Sequence, residues 1–474
     1  MTSNTSKDQP IVVVGAGLVG AMTAILLSKR GYTKITVYDA RPDPRVGLSG
    51  PNEASGGELH GKLGNSLKRS INLALSHRGI CALKAIGLEE QILEKAVPME
   101  GRMIHPPGCM HAKDDTVFQP YDHRPGQAIY SISREELNLS LLLHIQRIPQ
   151  VSVVFGAKFE SIDKHARATF SAPDLDRPIV TEPSVVLGAD GAFSKVREQL
   201  GRVVRMDFSR AYISSGYKEL TIPPTPHGHY AMHPHALHIW PRGDFMLIAL
   251  PNQDKSFTAT LFAPFETLEG LGTEEEVEGF FLKWFPDVCS CRLMPTLAHD
   301  YFSSPSSSLL SIRVSPWHHQ GRLLLLGDAA HATVPFYGQG MNAGFEDALR
   351  LYEMLGESED LSEVFARFSA EMVPSREGLV EVSLDNYKEM SAKTNSRLFA
   401  LKRRLDWVLE SVLPAGAWSP LYTMVTFSRT HYHIAKAQAE RQDALLNGAL
   451  ALLASAALAS ALAALLRLPK PRAP

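Results

Sequence analysis

The chain has 474 residues, enough for two or three structural lobes. Its 48 basic and 50 acidic side chains leave a formal charge of −2, and no basic stripe predicts binding to a nucleic acid. The four cysteines are too few and too poorly spaced for a zinc cage or a disulfide framework, so we expect reduced thiols and no metal site. About ten polar residues precede the first apolar run, so no signal or transit peptide is expected.

The first motif is a glycine fingerprint. Residues 11–20 read IVVVGAGLVG, a pattern typical of a buried parallel strand that enters a tight turn and then a helix. Gly15 permits the turn, Gly17 lets the backbone approach a pyrophosphate, and Gly20 allows the helix to pack closely on the strand. The next apolar strand ends at Asp39, about 20 residues beyond the last glycine, where a carboxylate can bind an adenosine ribose. This segment predicts a dinucleotide site without distinguishing NAD from FAD.

A motif in the second half of the chain favours FAD. Residues 325–344 read LLGDAAHATVPFYGQGMNAG. An apolar strand leads to Asp328, which can bind the ribityl chain of a flavin, and a helix is predicted to begin near Met341 and Asn342. Free N–H groups at a helix start stabilise negative charge, which builds up on N1 and O2 of a reduced isoalloxazine ring. We expect His331 to pack between helices rather than to act in catalysis.

A third motif lies between these two. Residues 188–197 read GADGAFSKVR after an apolar strand, and Asp190 can serve both FAD and a pyridine nucleotide. The three motifs, in this order and roughly evenly spaced, are typical of an FAD-dependent aromatic-ring hydroxylase. No second glycine fingerprint is present for a nicotinamide cofactor.

The chain resembles the single-component flavoprotein aromatic hydroxylases and, within them, the kynurenine 3-monooxygenase family. The closer resemblance is carried by residues 69–76 (RSINLALS), 230–232 (YAM), 238–242 (HIWPR), 336–347 (FYGQGMNAGFED) and 420–429 (PLYTMVTFSR). It implies the NADPH- and O2-dependent 3-hydroxylation of L-kynurenine to 3-hydroxy-L-kynurenine through a flavin C4a-hydroperoxide. The reaction belongs to tryptophan catabolism on a route to NAD. FAD is expected to be noncovalent and NADPH to be a cosubstrate.

The expected fold class is α/β: a Rossmann-type FAD-binding domain with an inserted antiparallel-sheet substrate domain, a helical C-terminal lobe and a C-terminal membrane helix. The expected boundaries are 1–97, 128–203 and 304–350 for the FAD-binding domain, 98–127 and 204–303 for the substrate domain, 351–443 for the helical lobe, and 444–466 for the membrane helix. Residues 47–65 are a Pro/Gly/Ser-rich insertion relative to the family, which we expect to form a surface loop near the approach of NADPH.

The resemblance also implies the residues that bind substrate. Arg102 is expected to bind the kynurenine carboxylate, because a buried carboxylate needs a charged and preferably bidentate partner. Tyr121, Asn386 and Tyr422 are expected to assist. From the residues alone, Arg102 is equally a surface arginine, Asn386 equally a helix cap and Tyr422 equally a core residue. The neighbouring Glu100 departs from the family pattern and would weaken carboxylate binding electrostatically.

The cofactor contacts follow from the same resemblance. The eleven residues expected at FAD are Gly15, Gly17, Gly20, Asp39, Arg41, Ala74, Arg134, Asp190, Asp328, Met341 and Asn342. Arg134 opens a predicted helix at a position that reaches the FAD pyrophosphate in relatives, and an exposed arginine at a helix start is the alternative. No general base is predicted, because the aniline nitrogen of kynurenine itself pushes electrons into the ring.

The C-terminal segment has a distinct composition. Residues 444–466 contain no charged side chain, and their number matches a membrane-spanning helix of about 20 residues. Arg441 precedes the segment, and Arg467, Lys470 and Arg472 follow it. This pattern resembles tail anchors of the mitochondrial outer membrane, the usual location of the family, and predicts a catalytic domain that faces the cytosol. The alternative is an alanine-rich helix packed on the catalytic lobe.

Three other functions fit parts of the sequence. One is hydroxylation of another aromatic substrate, such as a phenol or salicylate. The second is a flavoprotein reductase that consumes NADPH without incorporating oxygen, and the third is a membrane-bound scaffold that keeps FAD for stability alone. The sequence predicts no oligomeric state.

Overall fold

The structure of the chain, a computed structural model, describes residues 7–46, 72–111, 115–121, 126–163, 167–173, 175, 177–390, 397–414 and 416–466. The insertion predicted at residues 47–65 lies outside the described residues, as does the start of the 69–76 run.

The described strands are β1 (Pro10–Val14), β2 (Lys34–Tyr38), β3 (Asn72–Leu75), β4 (Val97–Met99), β5 (Gly101–Ile104), β6 (Val117–Pro120), β7 (Ile129–Ser133), β8 (Val151–Val154), β9 (Lys158–Ile162), β10 (Ala168–Ser171), β11 (Ile179–Thr181), β12 (Val185–Gly188), β13 (Asp207–Ile222), β14 (Ala236–Pro241), β15 (Met246–Pro251), β16 (Phe257–Pro264), β17 (Ser307–Ser315), β18 (His318–His319) and β19 (Leu323–Leu325).

The described α-helices are α1 (Leu18–Lys29), α2 (His77–Ile86), α3 (Glu89–Glu94), α4 (Arg134–Ile145), α5 (Lys195–Val203), α6 (Phe265–Gly270), α7 (Glu274–Trp284), α8 (Pro286–Ser290), α9 (Leu297–Ser303), α10 (Asp328–His331), α11 (Gly340–Met354), α12 (Leu361–Lys388), α13 (Arg397–Val412), α14 (Leu421–Phe427) and α15 (Tyr432–Leu466). A 3₁₀ turn spans Pro335–Tyr337.

A six-stranded sheet runs in the order β18-β19-β12-β1-β2-β8 and is parallel apart from the β18–β19 pair. All four residues from Ile11 to Val14 are buried, because a central parallel strand is covered on both faces. Helix α1 packs against α4 and α11. The carboxyl ends of β1, β12 and β19 therefore meet at one edge, where ligands of such sheets bind.

The turn after β1 requires its glycines. Gly15 has a φ of +105°, and a Cβ there would lie 2.4 Å from the carbonyl oxygen of Ala189. A Cβ on Gly20 would lie 1.8 Å from the Gly15 carbonyl oxygen. No side chain fits at these two positions, so the first turn of α1 stands directly against the strand that precedes it.

The second large sheet has seven strands in the order β17-β13-β16-β15-β14-β5-β6. It is antiparallel except for the parallel β14–β5 pair, so the sheet is mixed rather than purely antiparallel as predicted. On β15, Leu247 and Ala249 join an apolar core beneath the sheet, whereas Met246, Ile248 and Leu250 line a cavity above it. This alternation follows from the two-residue period of a strand and turns one face of the sheet toward the cavity.

The C-terminal region is helical, as predicted. Helices α12 and α15 pack together, and α14 lies between α15 and α2. Within the described residues, no helix is both long enough and apolar enough to cross a membrane. The predicted membrane helix at residues 444–466 is therefore not confirmed; the residues form the last part of α15, in which Leu445, Leu452 and Leu458 are exposed.

Candidate active site

A cavity of about 490 Å³ lies where the six-stranded sheet, the seven-stranded sheet and the C-terminal helices meet. Its walls combine residues predicted for cofactor and for substrate, namely Gly17, Ala74, Arg134, Asp328, Met341, Arg102, Asn386 and Tyr422. Such a concave space with a few convergent polar groups is typical of a ligand site. The lining does not include the other predicted residues, namely Gly15, Gly20, Asp39, Arg41, Asp190, Asn342 and Tyr121.

The start of α1 fits a bound dinucleotide. Gly17 is the N-cap residue of α1, has no side-chain cap and lines the cavity. The first N–H groups of the helix are therefore available at the cavity wall, where they can donate hydrogen bonds to a phosphate. Among the described residues, only Arg41 lies within 4 Å of a Cβ placed on Gly17, at 3.9 Å, so none of them blocks a close approach of a ligand.

Asp39 stands at the end of β2, where the sequence predicts it. Its carboxylate accepts hydrogen bonds from the Ala16 backbone N–H at 2.7 Å and from Arg41, whose Nε lies 2.9 Å away. Burial raises the pKa of Asp39, but the bonds from Arg41 and Ala16 outweigh burial and leave the pKa below its ordinary value. Asp39 therefore stays ionised beside the turn of the fingerprint.

Asp328 lines the cavity at the start of α10, directly after Gly327, whose φ is +57°. The Gly327 N–H donates to the buried carboxylate of Asp347 at 3.0 Å, and His331 Nε2 lies 2.5 Å from the same oxygen. His331 also stacks on Trp317, so its ring packs below the cavity. Asp347 and His331 together fix the backbone from which Asp328 projects.

The loop before α11 is tied to β3 by the side chain of Asn342. Asn342 Nδ2 donates to the carbonyl oxygens of Ala74 at 2.8 Å and Gly338 at 2.9 Å, while its Oδ1 accepts from the Ser76 N–H at 2.8 Å. The side chain of Asn342 is therefore occupied within the protein. A cofactor contact of this residue would have to come from its backbone at the start of α11.

Asp190 and Arg134 are each associated with the start of a helix. Asp190 Oδ2 accepts from the N–H groups of Lys195 at 2.7 Å and Val196 at 3.1 Å, which caps α5. Burial raises the pKa of Asp190. Arg134 is exposed at the first position of α4 and lines the cavity, so its cation is available to an anionic ligand.

Arg102 is the buried cation of the cavity. It lies on β5 between β14 and β6 and is 6% exposed. Its Nη1 is 3.7 Å from Glu389 Oε1, beyond hydrogen-bond length, and its Nε has no hydrogen-bond partner among the described residues. The guanidinium carbon lies 4.9 Å from the centre of the Tyr422 ring. A buried cation with an unused donor is costly unless an anion joins it, so this part of the cavity fits a carboxylate.

Three tyrosines form a stack around Arg102. The rings of Tyr121 and Tyr422 are 5.0 Å apart and nearly parallel, and those of Tyr337 and Tyr422 are 5.8 Å apart. Burial raises the pKa of Tyr121 and Tyr337 well above 10, so both hydroxyls stay neutral. The stack joins the residue after β6 to the 3₁₀ turn and α14, and Tyr337 and Tyr422 line the cavity.

Asn386 holds the 3₁₀ turn from the side of α12. Its Nδ2 donates to the Phe336 carbonyl oxygen at 2.7 Å and contacts the sulfur of Met390. The Phe336 ring stacks on Tyr387 with ring centres 4.2 Å apart. Asn386 is therefore buried within the protein wall rather than acting as the helix cap that the sequence alone allowed.

The sequence reasoning missed several residues of the cavity. Phe262 and Ile248 come from the seven-stranded sheet. The alternation of apolar and polar residues in its strands predicts that one face is buried, but it does not predict what binds there. Phe336 and Tyr337 belong to the flavin motif, so the sequence contained a signal that they lie near the cofactor site. Glu389 follows α12 without any motif, and only the fold brings it to Arg102. Glu100, which was expected to disturb carboxylate binding, is exposed.

Comparison with known proteins identifies the class. A family model described as "FAD binding domain" matches residues 73–363, and one described as "FAD dependent oxidoreductase" matches residues 10–113. Among solved structures, a 2-methyl-3-hydroxypyridine-5-carboxylic acid oxygenase superposes with a TM-score of 0.63 at 17% identity, covering 82% of this chain and 95% of that one. A tetracycline destructase superposes with a TM-score of 0.60 at 15% identity, covering 90% and 99%. These structures share the fold. Together with the curated relatives described next, the two family models identify the chain as an FAD-dependent monooxygenase.

Curated relatives identify the family. Kynurenine 3-monooxygenase of Sus scrofa is 42% identical over 453 residues, covering 95% of this chain and 90% of its own. The enzymes of that name from Myxococcus xanthus and Stenotrophomonas maltophilia are 39% and 38% identical, covering 91% and 94% of this chain and 89% and 93% of their own. The chain belongs to the kynurenine 3-monooxygenase family.

These relatives also correct one prediction. The sequence pattern of the tail predicted a location in the mitochondrial outer membrane with the catalytic domain in the cytosol. Bacterial relatives from Myxococcus and Stenotrophomonas are nearly as similar as the mammalian one, and bacteria have no mitochondria. The predicted location is therefore wrong, because an alanine-rich segment and family membership do not specify an organelle.

Proposed function

We propose that the chain hydroxylates L-kynurenine at position 3 of its ring, consuming NADPH and O2 and releasing 3-hydroxy-L-kynurenine. The proposal rests mainly on one observation. The buried Arg102 lines the same cavity as residues of the flavin motifs. The family relatives, which carry the name of this activity, support the choice of substrate. FAD bound in the cavity supplies electron transfer from NADPH and the activation of O2.

Arg102 is the proposed partner of the kynurenine carboxylate. Its unused Nε and its distance of 3.7 Å from Glu389 leave donors for a bidentate pair with an entering anion. Arginine suits this task better than lysine, because its planar fork matches both carboxylate oxygens. The hydroxyls of Tyr121 and Tyr422 are proposed to assist from the tyrosine stack, with Asn386 holding the wall beside them.

The flavin end is proposed to use the eleven predicted cofactor residues in different ways. Gly15, Gly17 and Gly20 provide space and helix N–H groups for the pyrophosphate, and Arg134 adds a cation at the cavity wall. Asp328 is proposed to bind the ribityl chain. Met341 and Asn342 are proposed to offer backbone N–H groups at the start of α11, while Asp39, Arg41, Ala74 and Asp190 shape the surrounding turns.

The walls between the two ends are apolar. Leu237, Ile248, Phe262 and Phe336 line the middle of the cavity, where the aromatic ring of a substrate would lie. Apolar walls exclude water, which protects a reactive oxygen species from loss as hydrogen peroxide. No side chain is proposed as a general base, because the aniline nitrogen of kynurenine activates the carbon beside it.

Substrate-dependent flavin reduction tests this proposal against the alternatives. Holoenzyme is mixed with NADPH, and loss of oxidised-flavin absorbance is followed with kynurenine, salicylate, a phenol or no addition. We expect kynurenine alone to accelerate reduction strongly. Equal acceleration by salicylate or a phenol would support another aromatic substrate, and fast reduction without any addition would support a simple reductase.

A further inference from the structure

An exposed patch of two aromatic rings and one arginine lies beside the cavity. We call Phe193, Phe208 and Arg210 the Phe193–Arg210 patch. Phe208 and Arg210 are two residues apart on β13 and therefore lie on the same face of that strand. Phe193 is 64% exposed and Phe208 is 46% exposed, which is unusual for side chains of their size. The patch is therefore an apolar surface with a cation in its centre.

The arginine of the patch is placed for a ligand. The Arg210 guanidinium carbon lies 5.1 Å from the centre of the Phe193 ring and 5.8 Å from that of Phe208. Among the described residues, Arg210 has neither an ion-pair partner nor a hydrogen-bond acceptor. Its donors are thus available, and the two rings hold the guanidinium in place through cation–π contacts.

A second arginine adds positive charge beneath the patch. Arg197 is 3% exposed, and its guanidinium carbon lies 4.9 Å from the centre of the Phe208 ring. Its donors are occupied by the carbonyl oxygens of Ala329 and Ala192. Burial and the nearby Arg210 cation lower the pKa of Arg197. The charge of Arg197 adds to that of Arg210, which favours an anion at the patch.

One residue of the patch, Phe193, follows a loop that lines the cavity. Ala189 and Gly191, on the loop that leads to Phe193, line the cavity wall. The reaction requires NADPH, yet the sequence has a single glycine fingerprint after a strand, and FAD uses it. NADPH must therefore be held mainly by side chains at the protein surface beside the cavity.

We propose that the Phe193–Arg210 patch binds the 2′-phosphoadenosine end of NADPH, with Arg210 pairing with the 2′-phosphate and the Phe193 ring stacking on the adenine. The proposal rests on the proposed function for its need of NADPH. A guanidinium matches a phosphate through paired hydrogen bonds, and every adenine offers a face for aromatic stacking. The loop of Phe193 then connects the anchored end to the cavity where the nicotinamide reacts.

The test compares Arg210→Gln with Arg313→Gln in the holoenzyme. Arg313 on β17 is paired with Ser209 on β13. Ser209 lies between Phe208 and Arg210, and successive residues of a strand point to opposite faces of the sheet, so Arg313 lies on the face opposite the patch and serves as a matched control. Calorimetry with adenosine 2′,5′-bisphosphate measures binding directly, and steady-state assays give the KM for NADPH and for NADH. We expect Arg210→Gln to weaken bisphosphate binding and to raise the KM for NADPH about tenfold, with less than about threefold change for NADH. FAD content and the kcat at saturating NADPH should stay as in the parent protein, and Arg313→Gln should change nothing.

Three results would overturn the proposal. Bisphosphate binding by Arg210→Gln within about twofold of the parent protein would show that the 2′-phosphate is not bound there. Equal losses for NADPH and NADH would show that the phosphate is not recognised. A change in self-association measured by sedimentation, with both KM values unaltered, would assign the patch to a contact between copies of the chain. A parent protein that binds the bisphosphate without hydroxylating kynurenine would instead overturn the proposed function and leave the patch intact.

Discussion

The guanidinium of Arg102 and the carboxylate of Glu389 approach each other to 3.7 Å between Nη1 and Oε1, just too far for a hydrogen bond. The Arg102 side chain is 7% exposed and that of Glu389 is 35% exposed. The buried cation thus has a partly exposed counter-charge nearby that does not form a hydrogen bond with it. This arrangement keeps Arg102 charged while leaving its donors for a ligand, and it leads directly to the first prediction.

Replacing Arg102 by alanine should greatly weaken kynurenine binding. The substrate carboxylate would enter an apolar space without a partner, at a cost of roughly 2–5 kcal/mol for a buried charge pair. Binding is measured by titrating kynurenine against the flavin spectrum. FAD content should not change, and Arg102→Lys, which keeps the charge without the fork, should lose less. Kynurenine affinity of Arg102→Ala within about threefold of the parent protein would show that the carboxylate binds elsewhere.

Replacing Asp328 by alanine should release much of the flavin. Loss of a buried polar contact leaves its partners unsatisfied, which costs about 1–3 kcal/mol. The ratio of bound flavin to protein after gel filtration measures the effect. Asp328→Asn, which keeps a hydrogen-bonding group of the same shape, should retain more FAD. An Asp328→Ala protein as yellow as the parent would exclude a ribityl contact.

Replacing Tyr432 by phenylalanine should weaken flavin binding from a distance. The Tyr432 hydroxyl lies 3.1 Å from Gln339 Oε1, and Gln339 Nε2 donates to Ser76 Oγ at 3.2 Å. The substitution leaves a buried acceptor unsatisfied at a cost of about 1–3 kcal/mol and loosens the loop before α11. FAD dissociation should become faster.

Tyr301 provides the matched control for that substitution. Its buried hydroxyl donates to the Leu268 carbonyl oxygen at 2.7 Å, beneath the seven-stranded sheet. Tyr301→Phe should therefore reduce the free energy of unfolding by a similar amount without changing FAD dissociation. Equal effects of both substitutions on FAD release would mean that Tyr432 acts through general stability alone.

The stability of the protein should fall as the pH falls below 6.5, partly because of His238. Burial, followed by the charge of His105, lowers the pKa of His238 from 6.5 to about 3. Between these values the unfolded chain binds a proton that the folded chain does not, so acid favours unfolding, with a slope of up to about 1.4 kcal/mol per pH unit. Chemical denaturation at several pH values measures this slope. His238→Gln should reduce it, and an unchanged slope would exclude His238 as a contributor.

The sequence predicted the flavin-binding half of the fold well because that half depends on local rules. The apolar run before Gly15 indicates a covered parallel strand. Glycine is required at positions 15 and 20 because an added Cβ would lie only 2.4 Å and 1.8 Å from a backbone oxygen. The helical C-terminal region was also predicted. The parallel pairing of β5 with β14 was not, since it joins residues about 135 positions apart and no local pattern specifies such a partner.

The candidate site was less predictable than the fold. Nothing in the sequence around Arg102 indicates that its side chain is buried, because burial arises from β6 and β14 on either side of β5. The buried chain from Asp287 through His105 to His238 was also missed, although each histidine stands in a run with apolar residues. The division of the chain into domains and the roles of the site residues remain predictions, because both depend on packing rather than on motifs.

The most direct test of the proposed function is the product formed from kynurenine under isotopically labelled dioxygen. Purified holoenzyme is incubated with NADPH and L-kynurenine, and the product is identified by mass spectrometry with its retention time compared to 3-hydroxy-L-kynurenine. We expect one labelled oxygen atom on the ring of the product and none from labelled water. Consumption of NADPH with unchanged kynurenine and only hydrogen peroxide formed would contradict the account.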